Sequence, residues 1–134
     1  MDDVEARGRL VEAQVAVLAT ITAKGLPHLV PCCFCLDDDT VYSAVDAKAK
    51  STLALRRLDN LRSHPDASML VHHYADDWSA LWWVRVDGAG RVVDDRGESA
   101  RALQLLAAKY EQYRRDPPPG PVVAVEIERW RWWP

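Results

Sequence analysis

VAVLATITAKGLPHLVPCCFCLDDDTVYSAV, residues 15–45, decides the architecture. Val15–Thr22 is apolar and rich in β-branched residues, the composition of a buried strand. Lys24-Gly25 marks a hairpin turn, because glycine takes positive φ without steric cost. His28–Leu36 reads as a second strand. Pro31 within it implies an edge or a bulge, since proline cannot donate to a ladder. Asp37-Asp38-Asp39 turns the chain again, and Thr40–Val45 is a third strand.

Working outward, the segment before this stretch reads as a helix. Val4, Leu10 and Val11, with Arg7 and Gln14, form its apolar stripe, and Asp2 and Asp3 suit its positive N-terminal end. After it the period changes. Ser51–Arg62 carries Leu55, Leu58 and Leu61 at helical spacing, with Ser51 or Thr52 as N-cap and His64-Pro65 as the stop. Ser68–Tyr74 and Leu81–Val86 read as strands. Asp87-Gly88 turns into a short strand at Gly90–Val93. Glu98–Tyr113 is a helix that shares Leu103, Leu106, Ala107 and Tyr110 on one face. Pro117–Gly120 forbids its continuation, and Val122–Ile127 is the final strand. Strands joined by short turns and interrupted by two helices predict a mainly β fold, a β-barrel with helical attachments. Closing six or seven strands removes exposed edges.

The 134 residues amount to one domain, spanning 1–134. A chain of this size leaves little room for a deep closed pocket. A large cofactor is expected in a groove or between two subunits. The formal net charge of −3 and the sequence pI near 5.8 give no general attraction to nucleic acid or membranes. No apolar run approaches membrane-spanning length and no apolar signal core precedes the domain, so a cytoplasmic protein is expected. A Gly-rich phosphate loop, a nucleophile elbow and a paired-carboxylate signature are all missing.

Several residues could carry chemistry. Lys48, Lys50, Ser51 and Thr52 set two ammonium groups directly before a helix start, where free N–H groups and partial positive charge favour an anion. Arg56 or Arg57, one turn on, would add a further donor. A solvated basic loop that merely caps the helix has the same composition. Cys32, Cys33 and Cys35 lack the paired spacing of zinc ligands, so no metal is expected. They read as small core residues, with a reactive thiol as the other reading. His72 and His73 face opposite sides of their strand. Trp78, Trp82 and Trp83 suit either a stacked heterocycle or an interface. The tail Glu128–Pro134 is expected to pack across a subunit, with Arg–Trp cation–π contacts.

These residues resemble a family. LATITAKGLPHLVPCCF (Leu18–Phe34) followed by VYSAVDAKAKSTLALRRLDNLRSHPDASMLV (Val41–Val71) is similar to the pyridoxamine 5'-phosphate oxidase-like split barrels. HHYADDWSALWWVRVDG (His72–Gly88) resembles an actinobacterial branch of small deazaflavin-dependent enzymes. The resemblance covers nearly the whole chain. It implies a six-stranded split barrel of the FMN-binding type, a homodimer, and a cofactor in a groove between subunits. It implies that Lys48, Lys50 and Ser51 hold the cofactor phosphate and that Pro31 and Cys32 line its ring. Ser43, Ala44 and Val45 would lie beneath ring and side chain, and Trp78 beside them. FMN-using members carry an arginine in the second barrel strand, which HLVPCCFCL lacks. The implied cofactor is therefore coenzyme F-420, a deazaflavin, with FMN as the alternative. The implied function is hydride transfer to a small electron-poor substrate; a carrier of flavin, deazaflavin or haem is the rival. Tyr42, His73, Tyr74 or water would supply the proton.

Overall fold

The computed structural model describes residues 1–45 and 52–134. Its elements are α1 (Asp3–Glu12), β1 (Ala16–Ile21), β2 (Pro27–Cys32), β3 (Cys35–Asp37), β4 (Thr40–Ala44), α2 (Thr52–Ser63), β5 (Asp66–His73), β6 (Trp82–Val92), α3 (Arg96–Lys109), α4 (Glu111–Arg115) and β7 (Val122–Trp133). A single 3-10 turn, Trp78–Ala80, sits between β5 and β6. All seven strands join one antiparallel sheet in the order β2-β1-β5-β6-β7-β4-β3.

That order forces the sheet to curl. Laid flat, the two edges of seven strands would stand about 29 Å apart. Yet the edges β2 and β3 are joined by Cys33-Phe34 alone, and three chain steps span at most ~11 Å. The edges must therefore approach each other at this corner, as in a barrel split along one seam. Tyr110 fastens the corner. The Phe34 amide donates to its hydroxyl oxygen (3.0 Å), and the hydroxyl reaches the carbonyls of Gln14 (2.9 Å) and Phe34 (3.1 Å). Ser43 Oγ donates to the Cys33 carbonyl at 2.8 Å.

The mainly β fold with helices matches the expectation, but several details differ. The barrel has seven strands, not six. His28–Leu36 is interrupted at the corner and yields two strands on opposite edges. Asp87-Gly88 is no turn: β6 runs through it, with a register shift where Asp87 faces Arg129 and Gly88 faces Ile127. Glu128 is thus the extra residue of a bulge. Glycine is required there because a Cβ would collide with the Glu126 carbonyl. The tail is itself part of the sheet. Residues 128–133 continue β7 along β6, and the cation–π partners are Arg7 over Trp130, Arg9 over Trp82 and Arg85 over Trp83. Those α1 arginines also correct the expected stripe. The helix docks through Ala6 and Leu10, both wholly buried, while Val4 and Val11 face outward.

Two apolar cores result. The inner one gathers Leu10, Leu18, Phe34, Met69, Val71, Val84 and Val86 with Leu58 and Leu61 of α2. The second lies under α3 and α4 and includes Cys35, Tyr42, Ala102, Leu106 and Tyr113. Strand β7 serves both: Val123 and Val125 enter the first, Val122 and Ala124 the second. This explains its unbroken apolar run, since a strand covered on both faces needs no polar alternation.

Candidate functional site

A cleft of about 240 Å³ opens beside the closing corner. Pro31, Cys32 and Cys33 form one wall and Ala44 of β4 another; Arg57 of α2, Tyr113 of α4 and Val15 complete it. The corner brings these together, because it places the end of β2 against β4 from the opposite sheet edge. The cleft is smaller than the roughly 300–1,000 Å³ usual for cofactor sites.

The residues singled out in the sequence are distributed as follows. Pro31, Cys32 and Ala44 line the cleft. Ser43 is buried and points at the Cys33 carbonyl, so it holds the wall without lining it. Val45 is packed in the inner core, its amide donating to the Pro121 carbonyl at 3.1 Å. Trp78 is 70% exposed in the 3-10 turn and does not line the cleft. Lys48, Lys50 and Ser51 lie outside the described residues.

Arg57 is the residue that sequence alone leaves unresolved against Arg56. The phase of α2 separates them: Arg56 is exposed, while Arg57 is 8% exposed and lines the cleft. A guanidinium keeps its charge even when buried. Burial pushes the neighbouring Cys32 thiol up to about 11, against the downward pull of Ser43 and the Arg57 charge. Cys32 is therefore neutral at physiological pH and contributes shape to the wall.

The candidate proton donors stand apart from the cleft. Tyr42 donates to Glu98 Oε2 at 2.7 Å in the second core. His73 stacks on Trp82 with ring centroids 6.0 Å apart. Tyr74 is exposed. None of the three is among the cleft's walls.

A broader depression of about 830 Å³ lies on the outward side of β1, β5, β6 and β7. At its floor Asp87 accepts from Ser68 Oγ (2.7 Å), Arg85 Nε (2.9 Å) and Arg129 Nε (3.0 Å). Burial raises the Asp87 carboxyl, but these bonds outweigh it and hold the group below its ordinary range. The register shows what else faces outward here. Leu29 pairs with Ala19, Val17 with Leu70, and Trp83 with Trp133. Leu29 is 67% exposed and Trp133 48%. Pro31 pairs with Val17, so it belongs to this face as well as to the cleft.

Comparison with known proteins places this architecture. The conserved hypothetical protein Rv2991 of Mycobacterium tuberculosis superposes with a TM-score of 0.78 at 21% identity, covering 99% of this chain and 84% of that one. A heme binding protein of Mycobacterium smegmatis gives 0.76 at 22% identity over 96% of this chain and 52% of that one. A FAD-binding protein of Mesorhizobium loti gives 0.73 at 18% identity over 98% and 92%. No curated protein matches the chain. At these identities the likeness is one of fold. The family described as pyridoxamine 5'-phosphate oxidase matches residues 3–134, and the chain belongs to that family.

Proposed function

We propose that this chain is a deazaflavin (coenzyme F-420)-dependent oxidoreductase that delivers hydride to a small electron-poor organic substrate, and that it works as a homodimer. The observation that carries this reading is Arg57: a buried guanidinium in the lining of a small cleft whose other walls are mostly apolar. A planar ring with an anionic tail fits that donor set. Pro31, Cys32 and Ala44 would lie along the ring, and Arg57, joined by Lys48 and Lys50, would hold the tail. When bound, the deazaflavin supplies the hydride. The chain's part is to orient it and keep water from its face. None of Tyr42, His73 and Tyr74 lines the cleft, which leaves water as the remaining member of that set to supply the proton. FMN is the alternative occupant of the same walls, and the absence of arginine from His28–Leu36 favours the deazaflavin.

The dimer reading has its own support. Val17, Leu29, Leu70, Trp83 and Trp133 put apolar side chains on the outward sheet face, around the Arg85–Asp87–Arg129 cluster. Pro31 joins that face to the cleft, so a second copy seated there would add the missing wall and enlarge a half-site into a full one. A haem or flavin carrier with the same fold is the rival, and the Mycobacterium smegmatis neighbour binds heme. No histidine lines the cleft among the described residues, which favours the flavin-type occupant.

Side-by-side titration of the purified protein with coenzyme F-420 and FMN tests the reading. Tighter binding of the deazaflavin is expected. Arg57→Met and the double change Lys48→Ala, Lys50→Ala should each weaken it by about tenfold or more, the value of a charge-assisted contact. Undiminished affinity in all these variants refutes the site. Catalytic bleaching of the reduced cofactor by an added acceptor separates an enzyme from a carrier.

A further inference from the structure

A further cavity, of about 410 Å³, lies between α1, the turn joining β3 to β4, and the C-terminal end of β7. Its walls are Asp3, Arg7, Asp39, Trp130 and Trp132, none of which lines the cofactor cleft. The volume falls within the roughly 300–1,000 Å³ usual for small-molecule sites. The alternation of β7 supplies the aromatic wall. Trp130 and Trp132 pair with Val86 and Val84 of β6, and their spacing of two puts them on one face of the strand. Both are partly buried against the inner core. The Trp132 indole N–H donates to the Met1 carbonyl at 3.1 Å, which fixes that ring. The charges are sorted as well. Arg7 donates to Asp39 Oδ1 at 2.6 Å and to the Asp38 carbonyl at 2.7 Å, so the Arg7 and Asp39 charges answer each other. Asp3 has no hydrogen-bond or ion-pair partner among the described residues. Its neighbour Asp2 caps α1 by accepting from the Glu5 amide at 2.8 Å, so the helix start does not claim Asp3. Two carboxylates against one guanidinium leave one negative charge in excess. A cation gains from that carboxylate and from the negative faces of the indoles, the best of the aromatic rings for this contact. The chain shows the contact itself: the Arg7 guanidinium lies 5.0 Å from the Trp130 ring centroid.

We propose that this cavity binds a small organic cation, an alkyl-substituted ammonium group, against the indoles of Trp130 and Trp132 with Asp3 as its counter-charge. Alkyl substituents suit the ring surfaces, and they spread the positive charge so that less hydration is lost on entry. Arg7 stays in place as a wall, because Asp39 and the Asp38 carbonyl hold its guanidinium. The site shares no residue with the cofactor cleft and stands apart from the cofactor reading.

Titration of the full chain with choline at constant ionic strength tests it, read by the NMR signals of the six indole N–H groups. Trp130→Leu and Trp132→Leu assign two of these signals by their loss. The Trp130 and Trp132 signals should shift together and saturate. The neutral isostere 3,3-dimethylbutan-1-ol has the same shape without the charge and should bind wild type about tenfold more weakly. Asp3→Asn, a change at an exposed position, should weaken choline about two- to fivefold. It should leave the isostere unaffected. Each tryptophan change should weaken choline by about threefold or more, with circular dichroism and thermal unfolding to show that the variants are folded. The wild-type comparison of choline with its isostere needs no variant at all. No saturating shift of either signal, shifts confined to other tryptophans, an isostere that binds as tightly as choline, or an affinity unchanged in Asp3→Asn overturns the proposal.

Discussion

The two halves of the sheet are covered in different ways. Strands β3, β4 and β7 are sandwiched: the inner core lies on one side and α3 with α4 on the other. Strands β2, β1, β5 and β6, with the C-terminal end of β7, have the same inner core, and among the described residues no helix covers their outward side, where Val17, Leu29, Leu70, Trp83 and Trp133 lie around the Asp87 cluster. One half is finished within the chain. The other is the half that the proposed dimer would finish with a second copy, and the cleft sits on the boundary between them.

The comparison breaks most sharply at Leu106. It is wholly buried in the second core, so Leu106→Ala should cost about 2–5 kcal/mol through lost burial and the cavity left behind. Urea unfolding measures this directly. A cost below ~1 kcal/mol would mean that α3 covers the sheet loosely, and the contrast between the halves would disappear.

The open half predicts a different response. Leu29→Glu with Leu70→Glu places two charges on a face that solvent already reaches. Unfolding of the isolated subunit should change little. Self-association should weaken by on the order of 2 kcal/mol, about thirtyfold in dissociation constant. Sedimentation across a concentration series reads it. A wild-type chain that sediments as a monomer at every concentration, or a variant that associates as tightly as wild type, removes the reason for the exposed apolar face.

How much of this was legible in the sequence follows from the range of the interactions. Strand and helix segments are local patterns, and they read well. The corner at Cys33-Phe34 carries no glycine, no proline and no polar cluster; it is fixed by Tyr110, 76 residues away. Only the fold brings that hydroxyl to the backbone. Asp87-Gly88 carries the usual mark of a hairpin turn, but its glycine answers a different need, the close approach of the Glu126 carbonyl. At the site, Pro31, Cys32 and Ala44 followed from family resemblance. Arg57 was one of two adjacent arginines until the phase of α2 turned one inward. The valines of α1 misled because a hydrophobicity count does not know which side of a short helix meets the barrel.

The smallest expected effect sharpens the covered half from its rim. Glu98, in the first turn of α3, accepts both Arg91 nitrogens (2.8 and 2.7 Å) and the Tyr42 hydroxyl, and Arg91 also reaches Glu126 at 2.7 Å. The Arg91 and Tyr42 hydrogen bonds hold the Glu98 carboxyl down at about 2, from an ordinary value of 4.5. A carboxyl depressed in the folded state contributes stability above its unfolded value, and that contribution is lost as pH falls from about 4.5 through about 2. Arg91 is 42% exposed, so solvent screening reduces the contribution to about 1 kcal/mol. Glu98→Gln keeps an acceptor for Tyr42 but removes the charge. Its destabilisation should be near 1 kcal/mol at pH 7 and should shrink toward zero as the pH approaches 2, where wild-type Glu98 is itself losing its charge. A difference that stays constant with pH would show that α3 is tied to the sheet by the shape of this contact and not by its charge.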